Sequence, residues 1–216
     1  MNRVAETPYA REPGYPERYR DRRFCSGTGQ ETDRRERAAL RKLLALEPRT
    51  DGPWLDAPCG AGRMTAELPG RATLVDRDPG MLLACPAGQP RACASVHALP
   101  FRDRAFAGAL CHRLLQHIPT AVERIDILRE LARVTHGPIV VSFFDACSLQ
   151  HLRRLVRRGL GKKRSGRSAV LRGTFFAELR QAGLDPIAVR SLRRFVAEQT
   201  LVLCAASKHP AGAAGT

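Results

Sequence analysis

The chain of 216 residues is long enough for one α/β domain with a sizeable core. Its hydrophobic fraction of 44% is above that of a disordered chain, and no run of 18 apolar residues predicts a transmembrane helix. The formal net charge of +15 favours an anionic partner, namely nucleic acid, an acidic lipid surface or an acidic small substrate; the alternative is a general surface excess of arginine.

The N-terminal segment, residues 1–30, is charged and rich in proline, and it is predicted to be a poorly ordered basic lead-in. It lacks the apolar core of a signal peptide, so a cytoplasmic location is expected. The seven cysteines are scattered and form no CxxC pair, which fits neither a disulfide framework nor a zinc site. We therefore expect mostly structural thiols and no metal site.

The next segment, from Glu31, predicts a helix that Thr32 caps and Pro48 ends. Short apolar runs then alternate with helical stretches. Strands are predicted at 53–57, 72–76, 92–96, 106–111 and 138–144, and helices near 62–68, from Pro79 and over 120–135. This alternation is typical of a parallel sheet built from right-handed crossovers.

The pattern changes after residue 145. An intensely basic stretch leads to a helix that Gly183 ends, and two final strands follow at 184–192 and 197–205. The tail from Lys208, residues 208–216, is rich in alanine and glycine and is expected to fray. The main domain is therefore predicted at 31–207, with a basic segment at 145–173.

The segment WLDAPCGAGR, residues 54–63, predicts a strand, a turn that contains glycine and the start of a helix. Gly60 and Gly62 would let the backbone approach a ligand closely. The spacing is not the dinucleotide pattern G-x-G-x-x-G, and Asp56 at the end of the strand suits a cationic group better than a phosphate. A cofactor site at the carboxyl end of the first strand is therefore predicted.

Four segments in order resemble motifs of the class I S-adenosylmethionine-dependent methyltransferases, in particular the subgroup that contains the menaquinone and ubiquinone biosynthesis methyltransferases. They are LDAPCGAGR, ATLVDRDPGML, HALPFRDRAF and ALCHRLLQHIP, within residues 50–145. One motif alone would be weak, whereas four in register are specific. The chain departs from the family pattern at Pro58, in place of a glycine, and at Ser95 and Ala107, in place of acids.

The resemblance implies a Rossmann-like fold: a mostly parallel seven-stranded sheet with helices on both faces and an antiparallel last strand. It implies S-adenosylmethionine as the cofactor, with Asp76 holding both ribose hydroxyls. The residues expected to bind the cofactor are Asp56, Ala57, Pro58, Gly60, Gly62, Asp76, Arg77, Ser95, Val96 and Cys111.

His112 and His117 follow the fourth strand and are the candidate catalytic residues, because histidine suits the removal of a proton from a hydroxyl acceptor. The alternative for each is a hydrogen bond to the backbone. The tract 153–172 holds nine Lys or Arg and no acid, and by the resemblance it would lie beside the acceptor mouth. The tract is predicted to be either a surface that binds an anionic membrane or nucleic acid, or a solvated loop.

The expected function is in-line methyl transfer to a small-molecule or lipid-like acceptor. The nucleic-acid amino-methylation signature, an acid or Asn before Pro-Pro-aromatic, is absent after the fourth strand. One alternative is an RNA methyltransferase that uses the arginine-rich tract. The other is a catalytically silent cofactor-binding protein, which Ser95 and Ala107 would favour.

Overall fold

The computed structural model describes residues 15, 24, 26–47, 51–159, 167–193 and 196–207. Its seven strands are β1 (Trp54–Asp56), β2 (Ala72–Asp76), β3 (Arg91–Cys93), β4 (Gly108–Cys111), β5 (Ile139–Phe144), β6 (Leu184–Ser191) and β7 (Gln199–Ala206). Five helices accompany them in the described ranges: α1 (Gly27–Leu44), α2 (Pro79–Leu83), α3 (Ala121–Val134), α4 (Leu149–Gly159) and α5 (Arg172–Gln181). Two short 3-10 turns lie at Thr65–Glu67 and Leu115–His117.

The strands form one sheet in the order β3-β2-β1-β4-β5-β7-β6. The first five are parallel, and β7 runs antiparallel to both β5 and β6. This arrangement confirms the predicted Rossmann-like fold, including its reversed last strand. The central strands β4 and β5 are buried at every position, as expected for a sheet covered on both sides.

Two apolar clusters cover the two faces of the sheet. One contains residues of α3 and α5, such as Leu128 and Phe175, packed on Val141 and Val202. The other contains residues of α1 and α2, such as Leu40, packed on Trp54 and Leu110. Helices therefore lie on both faces, as the resemblance implied.

Helix α1 begins four residues earlier than the sequence predicted. It starts at Gly27 after the extended residue Ser26, so Thr32 lies inside it and donates a hydrogen bond to the Thr28 carbonyl at 2.8 Å. The prediction that Thr32 caps the helix is wrong, because polar residues that resemble caps are also tolerated within a solvated helical turn. The domain limits of 31 and 207 and the tail at 208–216 stay predictions, and most of the lead-in lies outside the described residues.

Two other elements are shorter than expected. β3 pairs only with β2 and ends at Cys93, because this edge strand lacks a second neighbour. The helical stretch expected near 62–68 is reduced to turns and the 3-10 turn at Thr65–Glu67. None of the helices in the described part of the chain has the length and apolar character that a membrane span needs.

The topology brings distant segments to one edge of the sheet. The parallel strands β1, β2, β4 and β5 all end there, at Asp56, Asp76, Cys111 and Phe144. β7 starts at the same edge, since Gln199 pairs with Phe144, so the residues between β6 and β7 lie there too. We call this the carboxyl edge.

Candidate active site

The carboxylate of Asp56 lies at the end of β1 and is 1% exposed. The Thr65 hydroxyl donates a hydrogen bond to its Oδ2 at 2.6 Å. Burial raises the pKa of Asp56 to about 7; the nearby Asp76 acts in the same direction, while the Thr65 hydrogen bond and Arg63 oppose it. A pKa near this value makes the ionisation of Asp56 sensitive to pH around neutrality.

Asp76 ends the neighbouring strand and is also buried. Its two oxygens accept backbone hydrogen bonds from Gly60 at 2.9 Å and from Asp78 at 3.0 Å. Burial raises the pKa of Asp76, and these two backbone donors lower it. The glycine loop after β1 is thus tied directly to the acid that ends β2, and each carboxylate oxygen keeps a further acceptor direction.

The two glycines of the loop serve different purposes. Gly60 has a φ of +54°, which side chains rarely adopt, and a Cβ there would meet nothing within 4 Å. Gly62 has a φ of +72°, and a Cβ there would lie 2.9 Å from Pro86 Cδ. Gly60 therefore leaves open space for a ligand, whereas Gly62 permits close packing of the loop.

The loop thiols support this bend. Cys59 and Cys85 both donate to the Gly60 carbonyl, at 3.3 and 3.2 Å. The peptide bond between Ala57 and Pro58 is cis, and Ala57 is buried while Pro58 is half-buried.

The remaining predicted cofactor residues flank the two acids. Cys111 at the end of β4 is fully buried, and burial raises the pKa of its thiol to about 12, so the thiol is inert. Arg77 follows Asp76 and is exposed. Val96 is buried, and the exposed Ser95 uses its hydroxyl to accept the His97 backbone N–H at 3.3 Å. The structure thus brings the predicted residues to one edge, while their individual roles stay predictions.

The two candidate histidines have opposite environments. His112 is buried, and its Nε2 has no hydrogen-bond partner among the described residues. Burial, followed by the charges of Arg63 and Arg113, holds the pKa of His112 well below its usual value, so this imidazole is neutral. His117 is exposed at the end of a 3-10 turn.

A buried ionic cluster lies beside His112 and was missed by sequence reasoning. The carboxylate of Glu36 on α1 is fully buried and pairs with Arg63 at 2.5 Å and Arg113 at 2.8 Å. Its Oε1 is 3.7 Å from His112 Nε2. The signal was present, because Glu36 shares the helical face of Ala39, Leu40 and Leu43 and is therefore expected to point inward.

The residues of the basic tract 153–172 lie in different structural environments. Arg153 and Arg154 lie on α4, which follows β5, and Arg167 returns to the carboxyl edge. Arg172 is not part of a solvated loop, because it pairs with the buried Asp145 at 2.6 Å. Residues 160–166, which include three of the predicted cations, lie outside the described residues.

Comparison with known proteins identifies the domain. Residues 55–137 match the family model described as a methyltransferase domain. No curated protein matches the chain.

Solved structures share the fold at low identity. The magnesium protoporphyrin IX methyltransferase from Synechocystis PCC 6803, solved with bound SAH, has a TM-score of 0.69 at 14% identity, covering 88% of this chain and 94% of its own. An S-adenosylmethionine-dependent methyltransferase from Clostridium acetobutylicum has a TM-score of 0.66 at 12% identity, covering 88% and 96%. One from Methanosarcina mazei has a TM-score of 0.62 at 18% identity, covering 76% and 96%.

The domain match, together with the fold, confirms the predicted enzyme class, a methyltransferase, and S-adenosylmethionine as its cofactor. The residues at the carboxyl edge fit this cofactor. Two buried carboxylates suit a cationic amino-acid end and a pair of ribose hydroxyls, and the Gly60 bend leaves room for close approach. The narrower resemblance to the quinone biosynthesis subgroup stays a prediction.

Proposed function

We propose that this protein transfers the methyl group of S-adenosylmethionine to a small-molecule or lipid-like acceptor by in-line displacement. The observation that carries the proposal is the pair of buried carboxylates, Asp56 and Asp76, at neighbouring strand ends and linked through the open Gly60 bend. When bound, the cofactor supplies a methyl group on a sulfonium, which is a good leaving group. The protein's main task is then to position the two reactants, which can contribute on the order of 7–11 kcal/mol.

The proposed roles follow from position and charge. Asp56 binds the cationic amino-acid end of the cofactor, and Asp76 accepts hydrogen bonds from the ribose hydroxyls. Ala57, Pro58, Gly60 and Gly62 shape the loop around the cofactor. Arg77, Ser95 and Val96 border the adenine side, and Cys111 forms the floor at the end of β4.

His112 is the better placed of the two candidate bases. Its Nε2 has no hydrogen-bond partner among the described residues, so the neutral imidazole can accept a proton from an acceptor hydroxyl, but burial and the charges of Arg63 and Arg113 make it a weak base. The charges of Arg63 and Arg113 oppose the resulting imidazolium, and Glu36, 3.7 Å from Nε2, is already paired with both arginines. His117 is exposed at the end of a 3-10 turn, so we assign it to the rim of the site.

A lipid-like acceptor is supported by the apolar face of α4. Its side chains are 40–57% exposed beside arginines of the same helix; they are Leu149, Leu152, Leu155 and Val156. The four resembling segments point to the quinone biosynthesis subgroup, in agreement with such an acceptor. The Synechocystis neighbour is likewise named for a small molecule, magnesium protoporphyrin IX.

The acceptor class is tested by incubating the protein with cell-extract fractions and S-adenosylmethionine labelled in its methyl group. We expect label in the lipid or small-molecule fraction. The Asp76→Ala variant serves as the control and should transfer little label. Label that enters RNA instead, with retention on RNA that falls steeply as salt rises, would contradict the proposed acceptor and favour a nucleic-acid methyltransferase.

Cofactor affinity should depend on pH through Asp56. The carboxylate must be ionised to hold a cationic group, and its pKa is raised to about 7, so affinity should increase as pH rises through that value. We expect a dissociation constant about tenfold larger at pH 6 than at pH 8, measured by calorimetry. Asp56→Asn should bind more weakly and lose this dependence. An unchanged slope in that variant would assign the titration to another group.

A further inference from the structure

A cavity of about 510 Å³ lies at the carboxyl edge on the β5 side of the sheet. Helix α1, helix α4, the 167–170 segment and the residues between β6 and β7 form its walls. Five arginines of the part of the chain that the structure describes line it: Arg35, Arg153, Arg154, Arg167 and Arg193. Glu198 is the single carboxylate among the described residues that line it.

The charges of this cavity are incompletely balanced within the protein. Arg35 pairs with Glu31 at 2.5 Å, and Arg154 pairs with the buried Glu198 at 3.2 Å. Arg153 and Arg193 form no ion pair among the residues that the structure describes. Because like charges around a concave site reinforce one another's potential, such a cavity concentrates anions.

Helix α4 is held against the far wall of this cavity by a small polar cluster. The Gln150 side chain accepts a hydrogen bond from the Glu198 backbone at 3.2 Å, and the His151 Nδ1 lies 3.0 Å from Arg154. The Gln150 backbone N–H also donates to the Val196 carbonyl at 3.0 Å. These contacts fix the first turn of α4 relative to the residues between β6 and β7.

The cavity lies next to the region where methyl transfer is proposed. Phe144 ends β5 directly beside β4, and the Arg167 guanidinium lies 5.9 Å from the centre of the Phe144 ring. Neighbouring strands are about 4.8 Å apart, so the cavity and the end of β4 are separated by only a few strand widths. Arg35 is also the sequence neighbour of Glu36, which contacts the residues around His112.

The dimensions indicate the kind of ligand. Small-molecule sites commonly have volumes of about 300–1,000 Å³, whereas a duplex requires an open groove. Leu192 and Val196 add apolar surface to the wall, and the exposed apolar face of α4 continues from it. Among the described residues, no aromatic side chain lines the cavity for base stacking.

We infer that this cavity binds the anionic group, a phosphate or carboxylate, of the methyl acceptor, with Arg153 and Arg193 as its principal contacts. The inference rests on the proposed function, since it specifies the acceptor class for the same site. Arginine matches such oxygen groups through its planar, forked donors.

The test uses the full chain saturated with S-adenosylhomocysteine. Binding of inorganic phosphate and of dodecyl phosphate below its micellar concentration is measured by calorimetry, with dodecyl maltoside as the uncharged probe. We expect the anionic probes to bind and the uncharged probe not to bind. In Arg153→Gln/Arg193→Gln their affinity should fall about 100-fold, roughly tenfold for each lost charged hydrogen bond.

The matched control is Arg71→Gln/Arg102→Gln, which removes the same charge from two exposed positions outside the cavity. It should bind the probes as the parent does. The inference would be overturned if the parent bound neither anionic probe, or if the cavity variant bound them as tightly as the parent. It would also be overturned if the control variant lost as much affinity for the probes as the cavity variant. Tighter binding of dodecyl phosphate than of inorganic phosphate would identify a lipid headgroup as the source of the anion, and equal binding would identify a free small anion.

A second measurement separates this inference from the proposed function. Both double variants should bind S-adenosylmethionine like the parent, while label transfer to the extract acceptor should fall at least tenfold only in the cavity variant. If the parent itself binds no S-adenosylmethionine, the proposed function fails, whatever the anion data show. If cofactor binding and transfer persist in the cavity variant, the inference alone fails.

Discussion

Replacing Asp76 with alanine should weaken the binding of S-adenosylmethionine by about 100-fold, because the proposed role of Asp76 gives it two hydrogen bonds from ribose hydroxyls, which would be lost together. The same change removes the acceptor for the Gly60 and Asp78 backbone N–H groups, so the loop also loses its tie to β2. Calorimetric titration of the cofactor measures the effect directly.

The control for this variant is Asp126→Ala, which removes an exposed carboxylate of α3 that pairs only with the exposed Arg129 among the described residues. It should bind the cofactor like the parent. Thermal unfolding of both variants would show whether the weaker binding reflects a damaged fold. A folded Asp76→Ala protein with the affinity of the parent would remove Asp76 from the cofactor site.

Replacing Glu36 with alanine should lower the free energy of unfolding by about 3 kcal/mol, because it leaves buried cations without their shared carboxylate. Arg63 and Arg113 have side chains only 13% and 18% exposed, so water can replace little of the lost interaction. Arg63 keeps its second partner, Asp33, which is why we expect the lower end of the range for broken buried pairs. Urea denaturation followed by fluorescence or circular dichroism gives this value.

Glu31→Ala is the matched change on the same helix. Glu31 is partly exposed and pairs with Arg34 and Arg35, so its loss should leave the urea midpoint close to that of the parent. A second variant, Glu36→Gln, keeps the shape of the side chain and removes its charge. If Glu36→Ala and Glu31→Ala unfold at the same urea concentration, the buried cluster contributes nothing specific to stability.

The sequence predicted the features of the fold that depend on local pattern. Continuous apolar runs such as 138–144 identified the buried strands, and the acids at the ends of two runs, Asp56 and Asp76, were expected at one edge because parallel strands share it. The start of α1 was placed wrongly, since Thr32 and residues 27–30 are equally compatible with a cap or a solvated turn.

Features that depend on contacts between distant segments could not be predicted from the sequence pattern. Nothing in the sequence distinguishes His112 from His117, because their burial depends on how α1 packs over the end of β4. The cavity arginines Arg35, Arg153 and Arg193 come from three separate parts of the chain, and the reversed direction of β7 places Arg193 at the same edge as the other two. The hydrogen bond from the Thr65 hydroxyl to Asp56 could not be predicted from the sequence either.

The reversed direction of β7 also keeps the proposed cofactor residues and the cavity on different parts of the chain. The proposed cofactor residues Asp56 and Asp76 end the first two strands, while the segment between β6 and β7 contributes a wall of the cavity on the other side of β4. Length or composition of that segment can therefore change without disturbing the strands that carry Asp56 and Asp76. If the proposed acceptor cavity is correct, exchanging the segment between β6 and β7 among enzymes of this architecture should change the acceptor and leave cofactor binding unaltered.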